Sequence, residues 1–434
     1  MSTSTASRSY RARWVFPVAG PPIDGGVVEV VAGRIADVRR RKPGDTAVDL
    51  CAEQQSDVAI LPSLVNAHTH LELSDLSAPV CAAGTPMPDW IRAVIAHRAR
   101  PEADRIAAIQ QGLDECRASG AAVIADIVQT EIDPTSIAAH AAATTNRGDV
   151  MMDGNAALWL LLCGELIGPT PERAAQGASR AKRFIADWAQ RGSESAAAAC
   201  SPGLCLGLSP HAPYTVHPRL LEECIELSRT HRLPLVMHLA ESPEELELLS
   251  TGRGPMRALL EDLGAWHEEL VPPGAAQSTY LKRLADADRA LVIHGNYLDD
   301  DAIALLAENR QRMAVVYCPR THAYFGHAPH PLPQLLAAAA QVCLGTDSRA
   351  SSPDLNLFRE MQHIAAHTLE ISPAAILRLG TLSGAEALGA AHEFGSLQPH
   401  RKAALAVARL GASSTSDPHD RLLSPESEII GLLS

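Results

Sequence analysis

Residues 58–70 read Val58-Ala59-Ile60-Leu61-Pro62-Ser63-Leu64-Val65-Asn66-Ala67-His68-Thr69-His70, and this stretch decides the fold. The apolar run is short and contains several β-branched residues, which predicts a buried strand. Side chains at positions i and i+2 of a strand point to the same face, so the imidazoles of His68 and His70 can reach one point. Neutral imidazoles are common ligands of divalent transition metals. The stretch therefore predicts a metal site, for which later segments have to supply the remaining ligands.

Seven further short apolar runs follow, most of them succeeded by a segment with helical periodicity. The eight predicted strands are residues 58–65, 121–128, 156–163, 204–208, 235–237, 290–293, 313–318 and 341–344. The amphipathic segments between them include residues 104–119, 173–190, 218–230 and 299–309. Strand–helix alternation indicates an α/β protein with a parallel sheet. Eight such units over about 330 residues favour a (β/α)8 TIM barrel over an open sheet.

The two ends of the chain differ from this pattern. Residues 14–40 contain two alternating strands around a glycine-containing turn, and residues 395–410 again predict short strands. We therefore expect one small β-sandwich domain built from both termini beside the barrel. Residues 412–425 are rich in Ser, Thr, Asp and Pro and predict a loop. The expected domains are residues 1–57 for the N-terminal part of the sandwich, 58–392 for the barrel, and 393–434 for the C-terminal part of the sandwich and the tail.

Composition narrows the classes of function. The chain has 434 residues, of which 46% are hydrophobic and 20% charged, so it can bury a large core. Its formal net charge is −13 without a basic cluster, so neither nucleic acid nor a membrane surface is an expected partner. No apolar run is long enough to span a bilayer, and residues 1–13 are not followed by a signal-type apolar segment. Nine cysteines without framework spacing predict reduced thiols in a cytoplasmic protein.

Residues that can bind metal or exchange protons follow five of the predicted strands. In strand order they are His68 and His70, then His211, then His238 with Glu241, then His294, and finally Asp347. A single buried histidine or aspartate is usually structural. In a TIM barrel, however, the C-terminal ends of all strands meet at one face, where reactive groups are found. Polar residues at five strand ends therefore predict an active site on that face.

The ordered motifs resemble those of a known superfamily. HTH at 68–70, SPHAPY at 209–214, HLAE at 238–241, IHG at 293–295 and GTDS at 345–348 resemble the amidohydrolases, specifically the branch of cytosine/guanine/adenosine-type deaminases and chlorohydrolases. The resemblance covers nearly the whole chain. The segments HTHLELS, CPRTHAYFGH and GTDSRASSPDL are most similar to aminodeoxyfutalosine deaminases, followed by methylthioadenosine/S-adenosylhomocysteine deaminases.

The resemblance implies one divalent metal ion held by His68, His70, His238 and Asp347, with water completing the coordination. Three imidazoles and a carboxylate suit Zn²⁺ or Fe²⁺, and zinc is the expected ion. Relatives with two metals bridge them with a carboxylated lysine on the fourth strand. Here that strand ends at Ser-Pro-His211, and the lysines, Lys42, Lys182, Lys282 and Lys402, lie elsewhere. A mononuclear site is therefore expected.

The resemblance also implies catalytic roles for three residues. Glu241 would take a proton from the metal-bound water and pass it to a ring nitrogen of the substrate. His294 would hold or polarise the resulting hydroxide, and Asp347 could pass a proton to the leaving amine. The alternative for Glu241 is a carboxylate that stabilises a helix N-terminus, as is expected for Glu244 and Glu245. Its position three residues after His238 favours catalysis.

Four residues are candidates for substrate binding. His211 is expected to hydrogen-bond a heteroatom of the substrate, and Glu72 a polar group such as a ribose hydroxyl. Trp90 either stacks on a planar ring or anchors the first loop of the barrel. Arg320 is expected either to bind an anion or hydroxyl of the substrate or to form a structural ion pair. Thr321-His322 stand where many relatives have Ser-Asn, so substrate choice is expected to differ there.

These observations predict a metal-dependent aminohydrolase that deaminates a purine-like heterocycle or nucleoside by metal-hydroxide attack. Aminodeoxyfutalosine and methylthioadenosine/S-adenosylhomocysteine are the substrates that the resemblance favours. An alternative is hydrolytic dechlorination or deamination of triazine- or pterin-like rings, against which the presence of Glu241 argues. A more distant alternative is a non-catalytic scaffold of the same fold, against which the four ligands argue. The choice of heterocycle, the choice of zinc or iron and the oligomeric state stay open, and a homodimer is an expectation from the superfamily only.

Overall fold

The computed structural model describes residues 7–143, 158–192, 200–201, 203–272, 274–412 and 415–433. The strands in these ranges are β1 (Ser7–Arg11), β2 (Trp14–Val15), β3 (Ile23–Asp24), β4 (Gly26–Val31), β5 (Arg34–Arg40), β6 (Val48–Asp49), β7 (Val58–Pro62), β8 (Leu64–Thr69), β9 (Ala121–Gln129), β10 (Trp159–Leu166), β11 (Cys200–Ser201), β12 (Leu204–Pro210), β13 (Pro234–Leu239), β14 (Arg289–His294), β15 (Met313–Tyr317), β16 (Val342–Leu344), β17 (Leu405–Arg409) and β18 (Glu428–Leu433).

The helices in the same ranges are α1 (Leu50–Gln54), α2 (Met87–Arg98), α3 (Glu102–Ala118), α4 (Pro134–Ala143), α5 (Pro171–Gly192), α6 (Pro218–His231), α7 (Pro243–Thr251), α8 (Pro255–Asp262), α9 (Gln277–Leu284), α10 (Asp300–Glu308), α11 (Pro319–Phe325), α12 (Leu332–Ala337), α13 (Leu357–His367), α14 (Pro373–Arg378), α15 (Gly384–Leu388) and α16 (Pro418–Leu422). None of these described helices has both the length and the apolar character that crossing a membrane requires.

Eight parallel strands form the central sheet in the order β8, β9, β10, β12, β13, β14, β15 and β16. A parallel bridge between Thr69 and Asp347 brings the first of these strands against the last. The backbone amides of Thr346 and Asp347 also donate to the carbonyl oxygen of His68, over 3.2 and 3.1 Å. The sheet is therefore closed, and the predicted TIM barrel with a small sheet domain is confirmed.

The barrel strands are buried on both faces. All residues of β12 and β15 are buried, as are all residues of β9 except Gln129. One face of each strand points into the barrel and the other packs against helices, so these strands are continuously apolar rather than alternating. This pattern made them recognisable as short apolar runs. In the third predicted strand, residues 156–157 lie outside the described residues.

The structure corrects the first predicted strand, because residues 58–65 form parts of two strands. β7 pairs antiparallel with β17 and parallel with β2, so it belongs to the terminal domain, whereas β8 begins the barrel. The amide of Ser63 donates to the Ala404 carbonyl, and the next amide, that of Leu64, donates to the Gly120 carbonyl, each over 2.8 Å. The chain thus changes sheets between consecutive residues. Both segments are apolar and fully buried, so hydrophobicity could not separate them.

Both ends of the chain build the second domain, as predicted. One sheet has the strand order β5-β4-β1-β6, and the other has the order β18-β17-β7-β2-β3. Apolar side chains from both sheets, including Tyr10, Val28, Ile60 and Leu405, form a core separate from that of the barrel. The two sheets therefore pack face to face as a β-sandwich.

The C-terminal tail is more ordered than the sequence predicts. Residues 412–425 were expected to form a loop, but the structure contains α16 there and β18 after it. The side chain of Asp417 caps α16 by accepting a hydrogen bond from the His419 amide, and Leu422 is fully buried. A capped helix with one buried residue is too short to show a helical period. Residues 413–414 lie outside the described residues.

The expectation of reduced thiols is wrong at Cys205, which is disulfide-bonded. Cys205 lies in β12, and antiparallel pairing of β11 with β12 sets Cys200 opposite Cys205 in the backbone register. The short β11 strand gives no apolar signal, so the sequence did not reveal this pairing. Seven cysteines, Cys51, Cys81, Cys116, Cys163, Cys224, Cys318 and Cys343, are free.

Closure of the barrel predicts that Gly345→Ala is destabilising. A Cβ atom at Gly345 would lie 2.8 Å from the Cβ and 3.0 Å from the carbonyl oxygen of His68. The substitution forces β16 away from β8, and we expect a loss of about 1–3 kcal/mol in the free energy of unfolding. Urea unfolding of the metal-free protein measures this loss. Gly20→Ala is the control, because no atom lies within 4 Å of a Cβ there. Equal stability of the two variants would contradict the prediction.

Candidate active site

Four histidines and one aspartate meet at the C-terminal end of the barrel. The Nε2 atoms of His70 and His238 are 3.3 Å apart, and Oδ1 of Asp347 lies 3.6 Å from His68 Nε2 and 3.9 Å from His70 Nε2. His294 joins the same cluster, since ligand atoms of His68, His238 and His294 lie within 4.8 Å of one another. The structure therefore brings the four predicted metal ligands together with the predicted catalytic histidine.

The backbone turns sharply where these side chains enter the site. Ala240, His294 and Asp347 have φ values of 55°, 68° and 58°, in the left-handed region that non-glycine residues rarely adopt. Ala240 follows β13, His294 ends β14, and Asp347 lies just beyond β16. Unfavourable backbone conformations of this kind persist where surrounding structure enforces them, and they are concentrated at functional sites.

The residues fit a divalent metal ion. His68 Nε2 is buried without a hydrogen-bond partner in the described structure, although such an atom normally has one. Burial and neighbouring imidazoles lower the pKa of His70 and of His238 well below the usual value, so both rings are neutral and offer a lone pair. Three imidazoles and one carboxylate are a donor set for Zn²⁺ or Fe²⁺.

Hydrogen bonds behind the ligands orient them. His238 Nδ1 lies 3.1 Å from the carbonyl oxygen of His211, so this nitrogen donates its proton there and leaves Nε2 for the metal. Asp347 Oδ2 accepts a hydrogen bond from Ser351 Oγ over 2.8 Å, and Ser351 Oγ lies 3.0 Å from Thr321 Oγ1. Such outer contacts hold ligands in place and tune metal affinity. Thr321, expected to affect substrate choice, therefore lies behind a metal ligand.

Glu241 faces the cluster rather than a helix end. Its Oε1 atom lies 3.3 Å from His294 Nε2, and burial together with the charge of Asp347 raises the pKa of the Glu241 carboxyl well above its usual value. The carboxylate at the start of α7 is instead Glu245, which accepts hydrogen bonds from the amides of Ala240 and Glu241 over 3.0 and 2.8 Å. The two alternatives for a carboxylate in this segment thus apply to different residues.

A cavity of about 230 Å³ opens directly above the cluster. Its floor includes His70, His238, His294, Asp347 and Glu241. The walls are mainly apolar and come from the loop after β8, from α2, and from α8 and the residue after it. They include Leu73, Met87, Trp90, Ile91, Val94, Ile95, Leu259, Leu260 and Leu263. An enclosed apolar cavity over a polar floor is the usual form of a small-molecule site.

Two predicted substrate contacts, His211 and Trp90, line this cavity. His211 Nδ1 is 2.8 Å from Thr215 Oγ1, which leaves Nε2 available to a substrate. The Trp90 indole donates to the Ala350 carbonyl over 3.0 Å and packs edge to face against Phe325 at 5.3 Å. The indole is therefore both anchored to the loop and exposed to the cavity, so the two interpretations of Trp90 are compatible.

Glu72 is not on the cavity wall, which corrects the expectation of a direct substrate contact. It is buried, with Oε1 at 2.6 Å from Arg98 Nε and Oε2 accepting from Gln129 Nε2 over 2.9 Å. Both carboxylate oxygens thus have protein partners. Proximity to His70 in sequence suggested the contact, but the 3₁₀ turn at Leu71–Leu73 directs the side chain beneath the wall.

Arg320 is likewise absent from the cavity lining, and its alternative interpretation applies. Its Nε donates to Glu360 Oε1 and a terminal nitrogen donates to Asp354 Oδ1, each over 2.6 Å. A guanidinium with two carboxylate partners forms a structural ion pair. A buried arginine requires such compensation, which a strand-end position in the sequence does not reveal.

Sequence reasoning missed Arg98, Glu165 and Ser351. Arg98 lines the cavity at the end of α2, in register with Met87, Trp90 and Val94 on one helical face. The spacing of these residues was the available signal, because positions three or four apart share a helix face. Contacts behind the ligands, such as that of Ser351, carry no sequence signal of this kind.

With this geometry established, the chain can be compared with known proteins. The model of the amidohydrolase family matches residues 59–432. The chain belongs to the amidohydrolase family. The aminodeoxyfutalosine deaminase of Deinococcus radiodurans is 29% identical over 388 residues, which are 86% of this chain and 83% of that protein. The 5-methylthioadenosine/S-adenosylhomocysteine deaminase of Syntrophobacter fumaroxidans is 30% identical over 403 residues, covering 89% and 81%. The predicted family is confirmed.

Solved structures show the same fold. Helicobacter pylori aminofutalosine deaminase in complex with methylthio-coformycin has a TM-score of 0.76 at 19% identity, covering 98% of both chains. An adenosine deaminase from Xanthomonas campestris with bound zinc has a TM-score of 0.72 at 22% identity, covering 98% of this chain and 90% of that one. At these identities the likeness establishes the architecture, and residue roles have to come from the site itself.

Removing the hydroxyl behind Asp347 should weaken metal binding. Ser351→Ala deletes the hydrogen bond to Oδ2, and we expect metal affinity to fall about 10- to 100-fold. Chelator competition with Zn²⁺ measures the affinity. Ser352→Ala is the matched control, since that buried hydroxyl donates to the Asp354 carbonyl and not to Asp347. The prediction is wrong if both variants bind zinc as the unaltered protein does.

Proposed function

We propose that this protein is a zinc-dependent deaminase that hydrolyses the exocyclic amino group of an adenosine-like nucleoside and releases ammonia. The observation that carries the proposal is the position of Glu241, whose carboxylate lies 3.3 Å from His294 Nε2 on the cavity floor formed with His70, His238 and Asp347. His68 belongs to the same cluster. A proton carrier beside a metal site is what hydrolytic deamination requires. Relatives named as deaminases of aminodeoxyfutalosine and methylthioadenosine support the substrate class.

His68, His70, His238 and Asp347 would hold a divalent metal ion, which would supply the activation of water. Glu241 takes a proton from that water on its carboxylate and transfers it to the ring nitrogen next to the carbon under attack. His294 Nε2, next to the same carboxylate, orients the attacking oxygen by a hydrogen bond. Asp347 receives the second proton and transfers it to the departing amine. Each general acid or base step contributes about 10²- to 10⁴-fold.

The substrate base is held between polar and aromatic side chains. His211 Nε2 hydrogen-bonds a ring heteroatom, and its ring is fixed from the other side by Thr215. Trp90 contacts the base or the group attached to it, because its indole is held in the wall by Ala350 and Phe325. The apolar remainder of the wall excludes water from the reacting carbon, which strengthens the electrostatic interactions in the site.

Replacing Glu241 with Gln should abolish turnover and leave the metal in place. The amide cannot carry the proton, so we expect the rate of ammonia release to fall about 10²- to 10⁴-fold. The substrates to test are aminodeoxyfutalosine, methylthioadenosine, S-adenosylhomocysteine, adenosine, guanine and an aminotriazine. Glu244→Gln is the matched control, as this neighbouring carboxylate lies outside the cavity lining. Activity on the triazine alone would contradict the nucleoside proposal, and full activity of Glu241→Gln would contradict the role of Glu241.

The site should bind one metal ion per chain. Prolonged dialysis against a chelator is expected to remove activity, and addition of one equivalent of Zn²⁺ to restore it, because His68, His70, His238 and Asp347 form a single ligand set. Metal analysis by mass spectrometry gives the stoichiometry. Restoration only by Fe²⁺ would replace zinc with iron in the proposal. Two equivalents bound at this cluster would contradict a mononuclear site.

A further inference from the structure

A second group of polar residues occupies the barrel mouth beside the metal cluster. Glu72 follows β8, Gln129 ends β9, and Glu165 is the penultimate residue of β10, where the strand register sets it beside Gln129. Both glutamates reach the same arginine. Arg98 Nε lies 2.6 Å from Glu72 Oε1, and Arg98 NH1 donates to Glu165 Oε2 over 3.1 Å. The two glutamates therefore converge on one guanidinium, and Gln129 supports them by donating from Nε2 to Glu72 Oε2 over 2.9 Å.

Arg98 is the polar member of an otherwise apolar helix face. It ends α2, and Met87, Ile91 and Val94 line the cavity from the same face. The guanidinium lies on the cavity wall, whereas neither glutamate does. Within the described residues, NH2 of Arg98 makes no hydrogen bond to the protein, although Nε and NH1 both face carboxylates. The fork of Arg98 is thus held on one side and presents a free donor to the cavity.

The charge of Arg98 is already compensated. Side chains of Glu72 and Glu165 are 2% and 7% exposed, so they interact with Arg98 with little screening by water. Burial by itself would lower the pKa of Arg98, but Glu165 and Glu72 raise it, so the guanidinium stays charged. Both carboxylates contact Arg98 directly, so much of the positive charge of this guanidinium is already neutralised and a further anion gains less from it. A neutral oxygen, such as a hydroxyl, is the acceptor that suits this donor.

Arg98 is also close to the residue that holds the substrate base. Arg98 and His211 line the same cavity. Glu165, which pairs with Arg98, directly precedes Leu166, and the Leu166 carbonyl accepts a hydrogen bond from the His211 amide over 3.2 Å. A base that contacts His211 therefore has its nearest substituent beside Arg98. In a nucleoside that substituent is the sugar.

We infer that Arg98 is the residue that recognises the sugar hydroxyls of the substrate, and that Glu72 and Glu165 are its positioning residues. The inference rests on the proposed function, because it assigns the part of the cavity next to the base. It also accounts for Glu72, which was expected to contact a ribose hydroxyl: the carboxylate acts through Arg98. The apolar residues further along α2 are then left for the group attached to the sugar.

Binding of adenosine and of 2′,3′-dideoxyadenosine tests this assignment, because the two molecules differ only in the sugar hydroxyls. Calorimetry on zinc-loaded Glu241→Gln protein gives dissociation constants without turnover. Adenosine is expected to bind about 10- to 100-fold more tightly than the dideoxy compound, the range for hydrogen bonds to a charged group. Adding Arg98→Met should reduce this ratio to within about threefold. Arg98→Lys keeps a positive charge beside the two glutamates but lacks the forked guanidinium. We expect this variant to lose the preference for adenosine as well.

Two further variants separate recognition from general damage. Arg92→Met lies on the same helix but pairs with Asp89 and Asp262 at the surface, and it should leave the ratio unchanged. Glu72→Gln removes one positioning carboxylate and should lower the ratio in part, with zinc content unaltered.

The inference is overturned if the ratio survives in folded Arg98→Lys, or if Arg98 variants weaken both ligands equally. If the protein releases ammonia from nucleosides but the ratio of the two dissociation constants is the same in the Arg98 variants, only this inference fails. If neither nucleoside binds and none is deaminated, the proposed function fails with it.

Discussion

The carbonyl oxygen of His68 accepts hydrogen bonds from the backbone amides of both Thr346 and Asp347, and the rest of the structure depends on this contact. It closes the barrel between its first and last strands. It also brings together two predicted metal ligands, His68 and Asp347, which are 279 positions apart in sequence. Gly345 makes the approach possible, because any side chain there would collide with His68. Barrel closure and the assembly of the metal site are therefore the same physical event.

The mouth of the barrel is divided between two kinds of chemistry. Strand ends β8, β13, β14 and β16 supply the predicted metal ligands and the proposed proton carrier, and burial there lowers the pKa of His70, His238 and His294. Strand ends β8 and β10 supply the two carboxylates that contact Arg98, and Gln129 at the end of β9 donates to one of them, Glu72. His211, at the end of β12, stands between the halves. The proposed reacting groups and the proposed recognition group thus lie side by side at strand ends, while α2 and α8 provide the apolar walls.

Much of this arrangement could be predicted, and the failures have physical reasons. Buried parallel strands are continuous apolar runs, so seven of the eight runs mark barrel strands directly. In one of these runs, residues 156–157 lie outside the described part of the chain. The run at 58–65 misled because β7 and β8 are equally buried but belong to different sheets. Glu72 and Arg320 were expected in the cavity, yet each forms an ion pair with a side chain of opposite charge. Pairing across the fold leaves no trace in a single sequence.

The sequence by itself determined the fold class and the family, and it predicted the residues of the metal cluster, because ligand chemistry requires specific residue types at strand ends. Only the tertiary structure decided which polar residues reach the cavity. Glu241 and Glu245 are four residues apart in one segment, but one faces His294 and the other binds backbone amides. Arg98 and Arg320 are both half-buried and ion-paired, but only Arg98 lies on the cavity wall. Residue type sets what a side chain can do, and packing sets what it contacts.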